Sequence, residues 1–171
     1  MAAGHRRLST AYQLMLVALP VDMARRMLTG ALRPEPELAW HPEYPLPDSL
    51  DAIAMVTAAH EAMTGPVQEP PAWWIHQIVV NGVVVGDIGF HGPPGPEKAV
   101  EIGYSVVPAW RGRGVATWAC EEILQQAWQD GAEIVIAETE QDNVASQAVL
   151  LGNGFQQRPD GVFMIRRPEA S

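Results

Sequence analysis

The stretch 73–90 holds the signal that most constrains the fold of this chain. Two runs rich in β-branched residues, WWIHQIVV and VVVGDIGF, are joined by Asn81-Gly82. This dipeptide favours a two-residue hairpin turn, because both of its residues tolerate positive φ. A third run of the same kind, AVEIGYSVV (99–107), follows a short loop and is ended by Pro108. The sequence therefore predicts three successive antiparallel strands.

The rest of the chain alternates between helix and strand patterns. Apolar residues recur at helical spacing from Gly114 to the stop signal Asp130-Gly131. The run EIVIAET (133–139) has the pattern of a buried strand, and the helix before it makes a crossover that predicts parallel strands at 99–107 and 133–139. The other predicted elements are a strand at 12–19, a helix from an N-cap at Asp22 to near Gly30, a helix from an N-cap at Asp48 or Ser49 to about Met63, a helix at 143–151, and short strands at 155–157 and 161–166. The predicted fold is a mixed α/β sheet of about seven strands with helices on both faces.

The 171 residues are predicted to form a single domain, residues 1–171, with residues 1–10 as a disordered tail. The apolar run after this tail is predicted to be a strand rather than a signal peptide, because Tyr12 and Gln13 interrupt it. The segment 31–50 carries five prolines, which predicts a semi-rigid loop. Its apolar residues predict that it packs onto the domain.

Composition narrows the choice of partners. Eleven Lys and Arg against twenty Asp and Glu give 11 − 20 = −9, which disfavours nucleic acid and membrane surfaces and favours cationic partners. No apolar run reaches the ~18 residues of a membrane span. The lone Cys120 excludes an internal disulfide and favours a cytoplasmic location, and the five histidines lack metal-ligand spacing, so no metal is predicted. The sequence is compatible with a homodimer.

The motif WRGRGVAT (110–117) stands where a predicted helix begins. Gly112 and Gly114 let the backbone approach a ligand, and the first N–H groups of the helix have no intrahelical acceptor. Arg111 and Arg113 add positive charge, so the motif predicts a bound phosphate group. A P-loop is excluded because the chain contains no Gly-Lys, and a dinucleotide fingerprint would require a third glycine where Thr117 stands. A plain glycine turn with solvated arginines remains an alternative.

The chain resembles the GNAT superfamily of N-acetyltransferases. EIGYSVVPAWRGRGVATWACEEIL followed by IVIAETEQDNVASQAVLLGNGF is similar to the core of that family, and Arg111-x-x-Gly114-x-Ala116 matches its acyl-CoA pyrophosphate loop. The resemblance is closest over residues 100 to 155. Within the family, EIGY, RGRGVAT and the Asn143-x-x-Ser146 motif are most similar to the RimJ/RimL-like branch, which acetylates protein N-terminal amines and sometimes small amines.

The resemblance implies where acetyl-CoA would bind. Its pyrophosphate would lie on the amides of Arg111, Gly112, Arg113, Gly114, Val115, Ala116 and Thr117. Pantetheine would run beside the strand edge formed by Tyr104, Val106 and Val107, and Asn143 would bind the pantetheine arm. The thioester would lie where the strands at 99–107 and 133–139 splay apart.

A candidate general base is Glu101. The strand period of two puts Glu101 on one face with Gly103 and Ser105, where small residues leave room. An ammonium must lose a proton before it attacks a thioester, and the resemblance implies that a glutamate on this strand acts as the base, directly or through water. A solvent-facing charge is the alternative for Glu101, and His91 is a second candidate for lining the acceptor site.

The resemblance also implies an oxyanion donor and an acid. The backbone N–H near Val107, released from pairing at the splay, would stabilise the oxyanion. Family members commonly protonate the leaving thiolate with a tyrosine, but Leu150 occupies that position here. Ser146 is therefore the predicted acid, with Tyr104 or unassisted departure of the thiolate as alternatives.

The predicted function is transfer of an acetyl group from acetyl-CoA to a small amine or a peptide N-terminus, without an acyl-enzyme. Acidic residues of the proline-rich segment would steer a cationic acceptor; they are Glu35, Glu37, Glu43 and Asp48. Tryptophans would form a wall of the acceptor pocket; they are Trp40 with Trp73 or Trp74. A noncatalytic acyl-CoA-binding or sensor module is the main alternative, because the usual tyrosine is missing. A dinucleotide-binding oxidoreductase is the second alternative.

Overall fold

The computed structural model describes residues 11–31 and 38–170. The predicted tail at 1–10 and the carboxylates of Glu35 and Glu37 lie outside the described residues. In chain order the elements are β1 (Leu14–Ala18), α1 (Val21–Leu28), β2 (Ala39–Trp40), α2 (Pro47–Thr64), β3 (Ile75–Val80), β4 (Val83–Phe90), β5 (Ala99–Val106), a 3-10 turn (Pro108–Trp110), α3 (Val115–Gln129), β6 (Ile134–Ala137), α4 (Val144–Gly152), β7 (Gln156–Gln157) and β8 (Phe163–Arg166).

The strands form one mixed sheet in the order β1-β3-β4-β5-β6-β8-β7, with β2 beside β4. The predicted meander is confirmed, because β3, β4 and β5 pair antiparallel in succession and Asn81 and Gly82 both have positive φ. The predicted parallel pairing of β5 with β6 is also confirmed. That pairing covers only Ala99 to Glu101 on β5, so the two strands separate while β5 continues to Val106.

Within the described residues, the sheet has one strand more than the seven predicted. The additional strand is β2, which lies inside the proline-rich segment that was predicted to be a loop. It pairs in parallel with Val83 and Val84 of β4, next to the point where β5 leaves β4. The open edge of β4 recruits this segment, and two residues are too few to show a strand period in the sequence. Tyr44 is buried, which confirms that the segment packs onto the domain.

Helices cover both faces of the sheet, as predicted. Asp87 of β4 pairs with Ser105 of β5, so it lies on the opposite face from Tyr104. Asp87 interacts with Ser49 of α2, whereas Tyr104 is close to Cys120 of α3. The two helices therefore lie on opposite faces, and the core between them and the sheet includes Ile53, Ile88, Ile102, Trp118 and Ile123, all below 2% exposed.

Two predicted helix caps are wrong. The N-cap residues of α1 and α2 are Pro20 and Leu46, and neither helix has a side-chain cap. Helix α2 begins at Pro47, whose fixed φ suits the first helical position, so Asp48 lies in the first turn instead. Within the described part of the chain, no helix is both long and apolar enough to cross a membrane.

Candidate active site

Two adjoining cavities lie near the point where β5 and β6 separate. The first has a volume of about 550 Å³ and extends to the start of α3, and the second, about 630 Å³, lies against β4, β5 and α2. Five residues line both cavities: Asp48, Tyr104, Ser105, Asn143 and Ser146. A ligand in one cavity can therefore meet a ligand in the other at this junction.

Backbone groups dominate the end of the first cavity beside α3. Gly112 and Gly114 have φ of +68° and +79°, the left-handed conformation that favours glycine, which confirms the predicted conformational role of these residues. Gly114 is the N-cap of α3, and Val115 to Thr117 in its first turn line the cavity. The N–H groups of this turn lack intrahelical acceptors and lie at the positive end of the helix dipole, so they can bind an anion.

The two arginines of the motif differ in their surroundings. Arg111 lines the first cavity, and its Nε donates to the carbonyl oxygen of Val106 at 2.8 Å. Arg113 lines neither cavity, because its guanidinium lies 5.0 Å from the ring of Trp110 and donates to the hydroxyl of Tyr12 at 3.2 Å. Arg111 is thus the arginine placed to contact an anion in this cavity.

The predicted release of the Val107 N–H is wrong. This group donates to the carbonyl of Val85 at 2.8 Å, and the Val107 side chain is completely buried. Because neighbouring residues of a strand direct their backbone groups to opposite edges, the N–H groups of Tyr104 and Val106 point toward the gap beside β6. Both residues line the first cavity, so they offer the backbone donors that Val107 does not.

A hydroxyl pair lies at the junction of the cavities. The Tyr104 hydroxyl lies 2.9 Å from Oγ of Ser146 and donates to the Ser146 carbonyl at 3.1 Å. Burial raises the pKa of Tyr104 to about 12. Asn143 caps α4 by accepting from the Ser146 N–H at 3.0 Å, which fixes Ser146 in the first turn. Leu150, at the position of the family's usual acid, is completely buried.

Glu101 and His91 form a pair at one end of the second cavity. His91 Nδ1 lies 3.2 Å from Oε1 of Glu101, and the His91 N–H donates to the Glu101 carbonyl at 2.9 Å. A Cβ atom added to Gly103 would lie 2.7 Å from His91 Nε2, so the ring lies directly over this glycine. His91 lines the second cavity, whereas Glu101 lines neither cavity.

The second cavity is strongly acidic. Its lining includes five carboxylates, Asp48, Asp51, Asp87, Glu138 and Glu140, and no Lys or Arg among the described residues. Asp87 is only 4% exposed, and its Oδ2 has no hydrogen-bond partner of good geometry within the described chain. Burial raises the pKa of Asp87 to about 6, although Ser49 and Tyr44 beside it act in the opposite direction. This lining suits a cationic ligand.

Several expectations for the acceptor pocket are wrong. Trp40, Trp73 and Trp74 line neither cavity, and the latter two are buried in the core. Glu43 also lies outside both cavities and is 3.8 Å from Nδ1 of His41. Asp87 was missed in the sequence, although a charged residue inside the apolar run VVVGDIGF was a signal that could have identified it.

No metal site is found in residues 11–31 and 38–170, where no three His, Cys, Asp or Glu side chains are grouped to hold an ion. Cys120 is buried in α3, as predicted, and burial raises the pKa of its thiol to about 12.

Comparisons with known proteins give a family and a fold. The protein-family model described as acetyltransferase (GNAT) domain matches residues 13–156 of this chain. A search of curated proteins gives no match. Solved structures that share the fold include Mycobacterium smegmatis RimJ in complex with CoA-disulfide, with 21% identity, a TM-score of 0.56, and coverage of 91% of this chain and 81% of that one.

Two further structures show the same similarity. Ribosomal-protein-S5-alanine acetyltransferase from Vibrio fischeri has 14% identity and a TM-score of 0.56, covering 95% of this chain and 96% of that one. The microcin C7 self-immunity acetyltransferase MccE, in complex with acetyl-CoA and AMP, has 17% identity and a TM-score of 0.56, covering 93% and 94%. At these identities the likeness is one of fold.

Proposed function

The chain belongs to the GNAT family of acetyltransferases, and from this premise we propose that it transfers the acetyl group of acetyl-CoA to a primary amine. The acceptor is a small-molecule amine or a peptide or protein N-terminus. The observation that carries the proposal is the junction of the two cavities, where a backbone anion site and an acidic cavity share Tyr104, Ser105 and Ser146. We assign the reaction to the reducing cytoplasm, which the lone Cys120 supports.

Acetyl-CoA would occupy the first cavity. Its pyrophosphate would accept hydrogen bonds from amides within residues 112–117, because the Arg111 N–H donates to the Pro108 carbonyl at 3.2 Å, and the Arg111 guanidinium would supply charge. Pantetheine would lie along β5 at Tyr104 and Val106. Because Oδ1 of Asn143 caps α4, the amide nitrogen of Asn143 is the group left to bind the pantetheine arm. The structures of RimJ and MccE, which carry CoA-disulfide and acetyl-CoA, support a CoA ligand for this fold.

The acceptor would enter through the acidic cavity. A cationic amine is attracted by the five carboxylates, and the net charge of −9 adds long-range attraction. Asp87 supports this assignment most strongly, because a buried carboxylate oxygen without a partner can accept a hydrogen bond from an ammonium group. The acceptor must be deprotonated to attack, and the carboxylate of Glu101 is proposed to promote this proton transfer.

Acetyl transfer also develops charge on two other atoms. The carbonyl oxygen becomes an oxyanion, and the N–H of Tyr104 or Val106 is its proposed donor. The leaving thiolate would be stabilised by the hydroxyl pair of Tyr104 and Ser146. Full proton transfer from Tyr104 is unfavourable, because its pKa of about 12 exceeds the value of about 8.5 that is typical of a thiol. We therefore assign this pair the role of hydrogen-bond donor rather than acid.

The proposal is tested by thiol release from acetyl-CoA in the presence of a panel of amines and dipeptides. We expect release that depends on both the amine and acetyl-CoA, with acetylated amine formed in equal amount. Tight binding of acetyl-CoA without release on any acceptor would instead identify the noncatalytic module. Stabilisation of the fold by NAD(H), and not by CoA, would identify the oxidoreductase.

A further inference from the structure

The position of His91 separates the Glu101 carboxylate from the acceptor cavity. Glu101 is the last residue of β5 that pairs with β6, and Gly103 is the first residue beyond it on the same face. The His91 ring lies over Gly103, with Nδ1 toward Glu101 and Nε2 above the glycine. An amine in the second cavity would therefore meet the imidazole before the carboxylate.

We propose that Nε2 of His91 takes the proton from the attacking amine and that Glu101 is its positioning residue. This inference rests on the proposed acetyl transfer and assigns its proton acceptor. An ionised carboxylate only accepts hydrogen bonds, so the distance of 3.2 Å between Nδ1 and Oε1 of Glu101 favours the tautomer of neutral His91 that carries its hydrogen on Nδ1. The lone pair is then on Nε2, on the side of Gly103, where an acceptor can reach it.

The step balances without a further reagent. The acceptor ammonium first loses one proton to solvent. The neutral amine nitrogen then attacks the thioester carbon, the carbon–nitrogen bond forms while the carbonyl π electrons move to the oxygen, and an N–H proton of the adduct passes to Nε2 of His91. The carbon–sulfur bond then breaks, and the electron pair leaves with the CoA thiolate. The imidazolium that results is stabilised by Glu101 on Nδ1, and it returns its proton to solvent or to the departing thiolate.

The surroundings of His91 favour this role. The charged groups that line the same cavity are Asp48 and Asp51 of α2, Asp87 of β4, and Glu138 and Glu140 after β6. All five are acidic, so they attract a cationic acceptor to the cavity that the His91 side chain lines. The side chains of His91 and Glu101 are 28% and 32% exposed, which leaves room for a substrate and for exchange of the proton with water.

The test compares His91→Gln, Glu101→Gln and the double variant in the thiol-release assay with the best acceptor. His91→Gln should lower kcat by about 10²- to 10⁴-fold near neutral pH, with little change in the KM for acetyl-CoA. Glu101→Gln should cost about 10- to 100-fold, as is usual for partners that orient a functional histidine. The double variant should be no slower than His91→Gln alone, because the two residues act as a unit.

Further variants distinguish a base from a structural residue. Imidazole added to His91→Ala should restore turnover in proportion to the neutral imidazole present, and Glu101→Gln in that background should have no further effect. Gly103→Ala should displace the ring, since the new Cβ would lie 2.7 Å from Nε2, and should lower kcat by about 10-fold or more. His41→Gln is the matched control, because His41 also contacts a glutamate but lies outside both cavities.

Each outcome has a definite meaning. Near wild-type turnover of His91→Gln, with a large loss in Glu101→Gln, would overturn the inference and leave Glu101 acting directly or through water. A double variant whose fold-loss in kcat equals the product of the two single fold-losses would overturn the inference as well. A wild-type protein that acetylates no amine would instead overturn the proposed function, and the inference with it. Retention of the acetyl-CoA melting shift shows that each variant is folded.

Discussion

The two cavities that meet at Tyr104 are built in different ways. The first is lined at one end by a single continuous segment, residues 111–117 without Arg113, in which two glycines have positive φ and a helix begins. The second is formed by side chains from α2, β4, β5 and the segment after β6. A backbone site is fixed by local sequence, whereas a side-chain site can change its ligand by single substitutions. The comparison teaches that the proposed cofactor site depends on local backbone conformation, whereas the proposed acceptor site depends on side chains from several elements.

The largest effect is expected from a substitution that disrupts only the proposed backbone site for the pyrophosphate. Gly114→Glu adds a side chain and a negative charge at a residue with φ of +79°, where the pyrophosphate is proposed to bind. At a ligand concentration of about 100 times the dissociation constant, acetyl-CoA should stabilise the wild-type fold by ~2.7 kcal/mol. This shift should disappear in the variant and can be measured by thermal unfolding.

The matched control is Gly131→Glu, at the other end of α3. Gly131 has φ of +96° and open space around it, so the two substitutions impose similar backbone strain. Gly131→Glu should keep the acetyl-CoA shift. Equal shifts in both variants would mean that residue 114 belongs to a plain turn.

The next effect concerns the acceptor site. Asp87→Asn removes the buried carboxylate proposed to bind the acceptor ammonium, so the KM for a cationic amine should rise by about 10- to 100-fold. The KM for acetyl-CoA should stay constant, since Asp87 does not line the first cavity. Steady-state kinetics with cationic and neutral acceptors would check this, and an equal effect on both acceptors would count against a charge contact.

Asp87 should also make stability depend on pH. Its pKa is raised from 3.8 to about 6 in the folded protein, so the folded state binds more protons than the unfolded state between these values. The contribution of Asp87 to the free energy of unfolding should therefore fall as pH rises from about 4 to 6. Asp87→Asn should remove this dependence and stabilise the protein at pH 7 by on the order of 1–3 kcal/mol. A variant that is less stable at pH 7 would contradict the interpretation that burial destabilises the ionised Asp87 carboxylate.

A smaller effect is expected from substitutions of Arg111 and Arg113, which should differ in their contribution to acetyl-CoA binding. Arg111→Ala should weaken acetyl-CoA binding by about 10-fold, because Arg111 lines the first cavity. Arg113→Ala should leave affinity nearly unchanged and cost about 0.5–1 kcal/mol of stability through the lost contact with Trp110. Calorimetric titration and chemical denaturation would separate the two. Equal losses of affinity would show that Arg113 turns toward the ligand.

The smallest effect is expected at the junction. Tyr104→Phe removes the hydroxyl that pairs with Ser146. If the Tyr104–Ser146 pair only donates a hydrogen bond to the thiolate, kcat should fall by about 5-fold, the worth of one such bond. A loss of about 10²-fold or more would identify Tyr104 as a true acid.

The sequence was most informative where structure is local. The meander, the crossover and the left-handed conformation of Gly112 and Gly114 are confirmed, and so is membership of the GNAT family, with RimJ among the proteins that share its fold. What failed depends on distant contacts. The pairing of Val107 with Val85, the short strand β2 and the burial of Trp73 and Trp74 are each decided by tertiary neighbours. The contact between His91 and Glu101 likewise joins residues of two strands and has no local signature.

The most direct test of the central claim is a competition between acceptors. Equimolar primary amines of similar size, one dicationic, one monocationic and one with a carboxylate, would be incubated with the protein and acetyl-CoA, and products identified by mass spectrometry. The proposed two-cavity site predicts one acetylated amine per free CoA, with the dicationic amine acetylated fastest and the carboxylate-bearing amine slowest. Free CoA without acetylated amine, or preference for the carboxylate-bearing amine, would contradict it.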